Sequence, residues 1–129
     1  MSNIVTSIAP WLTVKNGAAA IEFYKSAFGA VETYHLEDPE GAVVSRLSVD
    51  GAAFWLSGEA HGNAGAEAVR DGSVRMILTV VNPDEIFAKA IAAGAAEIFA
   101  VGEEHGWRLG RIEDPFGYHW EIGYQLQDE

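Results

Sequence analysis

His119 and Glu121 are the side chains of this chain whose types and spacing could do chemistry together. They belong to the stretch Asp114-Pro-Phe-Gly-Tyr-His-Trp-Glu121. Pro115 presets φ and Gly117 tolerates the positive φ that closes a turn, so residues 114–117 read as a turn. Residues 118–124 then read as a strand, with His119, Glu121 and Gly123 on one face and Trp120 and Ile122 on the other. A fixed carboxylate near an imidazole could act as a general base, help hold a divalent ion, or anchor a ligand. Side chains two apart on a strand run parallel at about 7 Å. That spacing serves an ion only when further donors converge.

The elements that must position this pair recur in two copies. In the first half, a strand at 8–14 leads to Asn16 as a helix cap. Ile21, Tyr24 and Phe28 follow at helical spacing up to Gly29. Strands are expected at 31–36, 42–49 and 52–57, with turns at 38–41 and at Asp50-Gly51. In the second half, a strand at 73–80 precedes Asn82-Pro-Asp-Glu85, a helix start with a cap, Pro at the first position and Glu three residues on. Strands at about 96–101, 107–112 and 118–124 complete it. Asn16 and Asn82, Ile21 and Phe87, and Gly51 and Gly117 are each 66 residues apart. One shared offset at three landmarks indicates a duplicated β-α-β-β-β unit. The expected fold is α+β: a module over 1–57, a small, polar, aperiodic connector over 58–73 that is a candidate flap, and a module over 74–129. One helix covers one face of each four-stranded sheet, and the open faces curve around a cleft where ligands tend to sit.

Composition narrows the function classes. Eight basic residues against 19 acidic give a net charge of −11, which repels nucleic-acid phosphates and favours a cationic partner or simple solubility. Cysteine is absent, which removes disulfides, thiolate metal sites and cysteine nucleophiles. No apolar run reaches the ~18 residues of a membrane span, and Met-Ser-Asn-Ile-Val lacks a basic leader region. No membrane association and a cytoplasmic location are the expectations.

Ile8-Ala-Pro-Trp-Leu-Thr-Val, Ala-Ile-Glu-Phe-Tyr-Lys-Ser-Ala-Phe-Gly29, Phe87-Ala-Lys-Ala-Ile-Ala-Ala-Gly94 and Arg108-Leu-Gly-Arg-Ile-Glu-Asp-Pro-Phe-Gly117 carry a resemblance. The chain resembles the vicinal-oxygen-chelate superfamily, which holds glyoxalase I, extradiol dioxygenases and bleomycin-resistance proteins, and in particular the glyoxalase-like members ending in Asp-Pro-Phe-Gly-x-x-Trp. The resemblance implies a divalent metal held by about four His or Glu residues, from the first and last strands of each unit. Carried over by position, these fall near Ala9, on Trp55, near Arg75 and on Glu121. Three of the four cannot ligate, so no metal and no other cofactor is expected, with Glu121 as the sole matching position. His35, His61 and His105 read as surface or locally hydrogen-bonded histidines.

If Glu121 faces the cleft, alternation and the repeat place Trp11, Thr13, Trp55, Arg75 and Ile77 with it, with His119 beside it and Trp107 as a wall. Trp120 points to the core, and Glu121 and Arg75 can pair. An aromatic slot with a carboxylate suits a flat aromatic or cationic small molecule. The bleomycin-resistance relatives sequester a drug in an acidic, metal-free crevice of a dimer. A metal-free binding protein of that kind, homodimeric, is therefore the expected function, and antibiotic sequestration a use for it. The alternative is a lyase, isomerase or dioxygenase with an altered metal site, or an acid–base enzyme using Glu121.

Overall fold

A computed structural model describes residues 7–59 and 75–126. His61 and nearly all of the expected connector lie outside the described residues. The first module runs β1 (Trp11–Asn16), α1 (Gly17–Phe28), β2 (Val31–Glu37), β3 (Val43–Val49) and β4 (Ala52–Glu59). The second runs β5 (Met76–Thr79), α2 (Pro83–Ala93), β6 (Ala96–Glu104), β7 (Trp107–Glu113) and β8 (His119–Gln125). Each forms a mixed four-stranded sheet, ordered β1-β4-β3-β2 and β5-β8-β7-β6. The first strand pairs parallel to the last in both sheets, and the other pairs are antiparallel. This is the α+β arrangement of two β-α-β-β-β modules. Among the described residues, no helix is long and apolar enough to cross a membrane.

Local chemistry sets these elements. The Asn16 side chain accepts a hydrogen bond from the Ala19 N–H at 2.9 Å, which starts α1. Gly29 ends it at φ 70°, where its N–H returns to the last turn. β1 begins at Trp11, three residues later than expected, after Pro10, which lacks the N–H a ladder needs. In α2, Pro83 occupies the first turn, but Asn82 does not cap it. The Asn82 amide instead donates to the Glu85 carboxylate at 3.0 Å, so side chain meets side chain and the reciprocal capping box is not formed. Asp50 and Gly51 have φ of 52° and 95°, as a two-residue turn between β3 and β4 requires.

The modules meet through α1 and α2 and through an aromatic cluster. Tyr24 and Phe28 on α1 contact Trp120, with Tyr24 also against Phe116 and Phe54. Trp120 is therefore a core residue, as alternation on β8 dictates. At the centre lies Asp114, 2% exposed. One of its carboxylate oxygens accepts from the Phe116 and Tyr118 N–H groups, both at 2.9 Å. The other accepts from the Tyr24 hydroxyl at 2.5 Å and the Trp120 indole at 2.8 Å. The turn after β7 is thus tied to the helix of the other module.

Candidate functional site

The registers reproduce the duplication. Trp11 lies opposite Trp55 in the first sheet, and Ile77 opposite Glu121 in the second. Across the next strand pair, Arg46 faces Trp55 and Arg111 faces Glu121. One strand further, Tyr34 faces Arg46 and Phe99 faces Arg111. Both open faces therefore carry the same layout, an arginine between an aromatic ring and the central position of the last strand.

On the first face the layout is aromatic. The Trp11 and Trp55 rings stack at 5.7 Å and 11°, and the Trp11 indole donates to Ser57 Oγ at 3.0 Å. Arg46 lies 5.8 Å over the Trp55 ring and donates to Thr33 Oγ1 at 3.1 Å. Thr13 is held through its backbone: its N–H donates to the Tyr118 hydroxyl at 3.0 Å, and that hydroxyl donates to the Thr13 carbonyl at 2.8 Å.

On the second face the layout is ionic at its centre. Glu121, its side chain 12% exposed, receives Arg111 Nη2 at 2.6 Å and Arg75 Nε at 2.9 Å. Arg111 also lies 5.6 Å from the Phe99 ring centre, a cation–π distance. Among the described residues its buried Nε has no hydrogen-bond partner. His119 shares the strand face with Glu121, yet its Nε2 is 3.8 Å from Glu113, its register partner. Beside Glu121 a concavity of about 590 Å³ is lined by Ile77, Phe99, Leu109 and Trp107, with Glu103 and Glu104 also on its wall. Gly123 keeps the adjacent floor low: a Cβ there would come within 2.4 Å of the Leu109 Cβ.

The residues expected from sequence thus fall into two groups. Arg75, Ile77, Trp107 and Glu121 gather on the second face, with His119 at its edge, while Trp11, Thr13 and Trp55 belong to the first. Among the described residues, no hydrogen bond, ion pair or ring contact joins Trp11 or Trp55 to the Glu121 group. Arg111, Phe99, Arg46 and Tyr34 are additions. The 66-residue offset missed them because it slips to 65 before the β7–β8 turn: Arg46 pairs with Arg111 and Tyr34 with Phe99. Between the equivalent register pairs Ser48–Ala53 and Glu113–His119 the chain has four residues and five, and that one extra residue is the slip.

A divalent ion needs several imidazole or carboxylate donors at short range. Of the four positions the fold would use, Ala9 has no donor, Trp55 is stacked on Trp11, Arg75 is a cation, and Glu121 is already held by two guanidiniums. No group of three or more His, Asp or Glu converges among the described residues. These residues do not fit a metal.

Comparison with known proteins places the fold. The chain is 32% identical over 133 residues to an uncharacterised protein of Mycobacterium bovis, covering 98% of this chain and 88% of that one. An Arabidopsis thaliana gene product of known structure superposes with a TM-score of 0.67 at 28% identity, covering 93% of this chain and 99% of that one. The fosfomycin resistance protein FosX from Listeria monocytogenes, in its Mn(II) and sulfate complex, superposes with a TM-score of 0.70 at 13% identity, covering 95% of each chain. The sequence pattern of one family matches residues 4–122, and on that match the chain belongs to the Glyoxalase/Bleomycin resistance protein/Dioxygenase superfamily.

Proposed function

We propose that the protein binds a flat aromatic small molecule, without a metal, in the concavity of the second sheet. The lining carries this reading. Ile77, Phe99, Leu109 and Trp107 offer apolar and π surface, and about 590 Å³ lies within the ~300–1,000 Å³ usual for small-molecule sites. Superfamily members bind small molecules and often form dimers, and FosX, a resistance protein by name, is a structural neighbour. Sequestration of an aromatic antibiotic in the cytoplasm is a use consistent with that company. The cationic half of the sequence expectation relied on Glu121 as an uncompensated carboxylate. With two guanidiniums upon it, that residue no longer supports the expectation, and only the aromatic half is carried forward.

Calorimetric titration with 2-naphthamide, in excess EDTA, tests the proposal. Binding with a Kd on the order of 10–100 µM is expected. Trp107→Ala should weaken it by about tenfold through lost ring contact. Absence of binding, or binding abolished by EDTA, would refute it.

The open faces also expose large apolar side chains, among them Trp11 at 53% and Ile77 at 56%. Exposed on open sheet faces, such side chains suit an interaction surface. We propose a homodimer in which the first face of one chain meets the second face of its partner, bringing Trp11 and Trp55 to the Glu121 group. Light scattering should give about twice the 13.9 kDa chain mass at micromolar concentration. A monomer mass there would exclude it.

A further inference from the structure

We infer that Gly102 sets the size limit of this site, and that its ligand is a fused two-ring aromatic rather than a single ring. The inference rests on the aromatic site proposed above and adds the residue that selects among its ligands. Gly102 lines the concavity together with Phe99, Leu109 and Trp107. Its register partner is Leu109, which puts it on the same open face. A Cβ built on Gly102 would meet nothing within 4 Å, and its φ lies outside the left-handed range. Every other glycine among the described residues has a positive φ or would bring a Cβ within 3.2 Å of a neighbour. Gly102 is thus required by neither backbone nor packing, although glycine costs a strand stability. A strand glycine of this kind fits a place that a ligand approaches closely.

The duplication supplies an internal comparison. Val44 stands two residues before Arg46, and Leu109 two before Arg111. Leu36 pairs with Val44 as Gly102 pairs with Leu109, so the first face carries a leucine where the second carries none. Leu36 is 56% exposed and fills the place that Gly102 leaves empty. The second sheet is also bent there: Ala100 and Val101 together face Gly110, between the Phe99–Arg111 and Gly102–Leu109 pairs. β2 keeps its register between Tyr34 and Leu36. The β6 irregularity is accommodated at Gly110, where a Cβ would come within 2.8 Å of the Val101 nitrogen, so it does not account for Gly102.

The dimensions of the floor decide the ligand class. Arg111, Leu109 and Trp107 alternate along β7 and share the open face. Phe99 pairs with Arg111, so Phe99 and Trp107 stand in the layers on either side of Leu109 and Gly102. Four residues of β7 separate those outer layers by about 13 Å at a rise of ~3.3 Å per residue. A single ring on this floor meets one aromatic wall at a time, whereas a fused two-ring system reaches toward both. A side chain at 102 divides the floor, which a single ring tolerates and a two-ring system does not.

The test titrates 2-naphthamide and benzamide by calorimetry into wild-type protein, Gly102→Ala and Gly102→Leu. Wild type is expected to bind naphthamide about tenfold or more tighter than benzamide. Gly102→Ala should narrow that ratio and Gly102→Leu erase it, through loss of naphthamide affinity. Urea midpoints of both variants should equal or exceed that of wild type, and light scattering should give an unchanged mass. Benzamide bound as tightly as naphthamide, or a ratio that survives Gly102→Leu, overturns the inference while the aromatic site stands. A lower midpoint would assign the glycine to the fold, and a changed mass would assign it to subunit contact; either overturns the inference. Failure of both probes to bind wild type overturns the aromatic site with it.

Discussion

Asp114→Ala is expected to destabilise the protein by about 3–5 kcal/mol, enough to leave a marginally stable domain largely unfolded. Four donors converge on this buried carboxylate: the Tyr24 hydroxyl, the Trp120 indole and two backbone N–H groups. Each buried donor left without an acceptor costs about 1–3 kcal/mol, with part recovered by relaxation or entering water. Asp114→Asn should be milder, at about 2 kcal/mol. Its amide oxygen can still accept from Phe116 and Tyr118, and the Tyr24 hydroxyl can rotate to accept from its NH2, but the Trp120 indole is left facing a donor. Urea denaturation of the three proteins measures the order. Equal stability of wild type and Asp114→Ala would show that the turn is not held in this way.

The same cluster has a signature in pH. Burial, reinforced by the Asp114 carboxylate, holds the Tyr24 phenol well above its ordinary 10.0. The folded state then keeps a proton that the unfolded state releases. Stability on Tyr24's account is complete below pH ~10 and falls as pH rises beyond it. Asp114 itself is pushed up by burial against the pull of its donors, so its contribution grows as pH falls toward the ordinary carboxylate range. Tyr24→Phe should lack the alkaline loss.

Glu121→Ala is expected to destabilise the protein by about 2 kcal/mol. Breaking a buried ion pair costs about 3–5 kcal/mol, and partial exposure of Arg75 and Arg111 reduces that figure. Two guanidiniums would be left facing one another, with Arg111 Nε already without a partner among the described residues. The sign is diagnostic. A carboxylate kept among other carboxylates for a metal is repelled in the metal-free protein, and removing it stabilises that state. A carboxylate held between arginines does the opposite. A rise in the urea midpoint of Glu121→Ala or Glu121→Gln, at unchanged slope, would contradict the ionic arrangement.

How much of this was legible in the sequence depends on the kind of signal. The helices were legible because Asn16, Gly29, Pro83 and Gly94 bound apolar stripes of helical period. The fold followed from the 66-residue landmarks together with the Asp-Pro-Phe-Gly motif. Trp120 in the core and the Arg75–Glu121 pair followed from strand alternation. Arg111 did not, because a cross-strand partner depends on turn length, and the five-residue turn shifts the β7 register by one. The sequence also showed Asp114 only as a turn residue. Its burial depends on Tyr24, 90 positions away, which no local pattern encodes. The separation of Trp11 and Trp55 from Glu121 was hidden for the same reason: alternation says which face a residue takes, and only packing of α1 on α2 decides where that face lies.

Calorimetric titration of EDTA-treated protein with Mn(II) and Zn(II) decides whether the Glu121 position holds a metal or a pair of arginines. With both guanidiniums on the carboxylate, no site-specific binding tighter than about 1 mM is expected for either ion. One ion per chain bound with micromolar affinity or better, and lost in Glu121→Gln, would mean that Glu121 is a metal ligand.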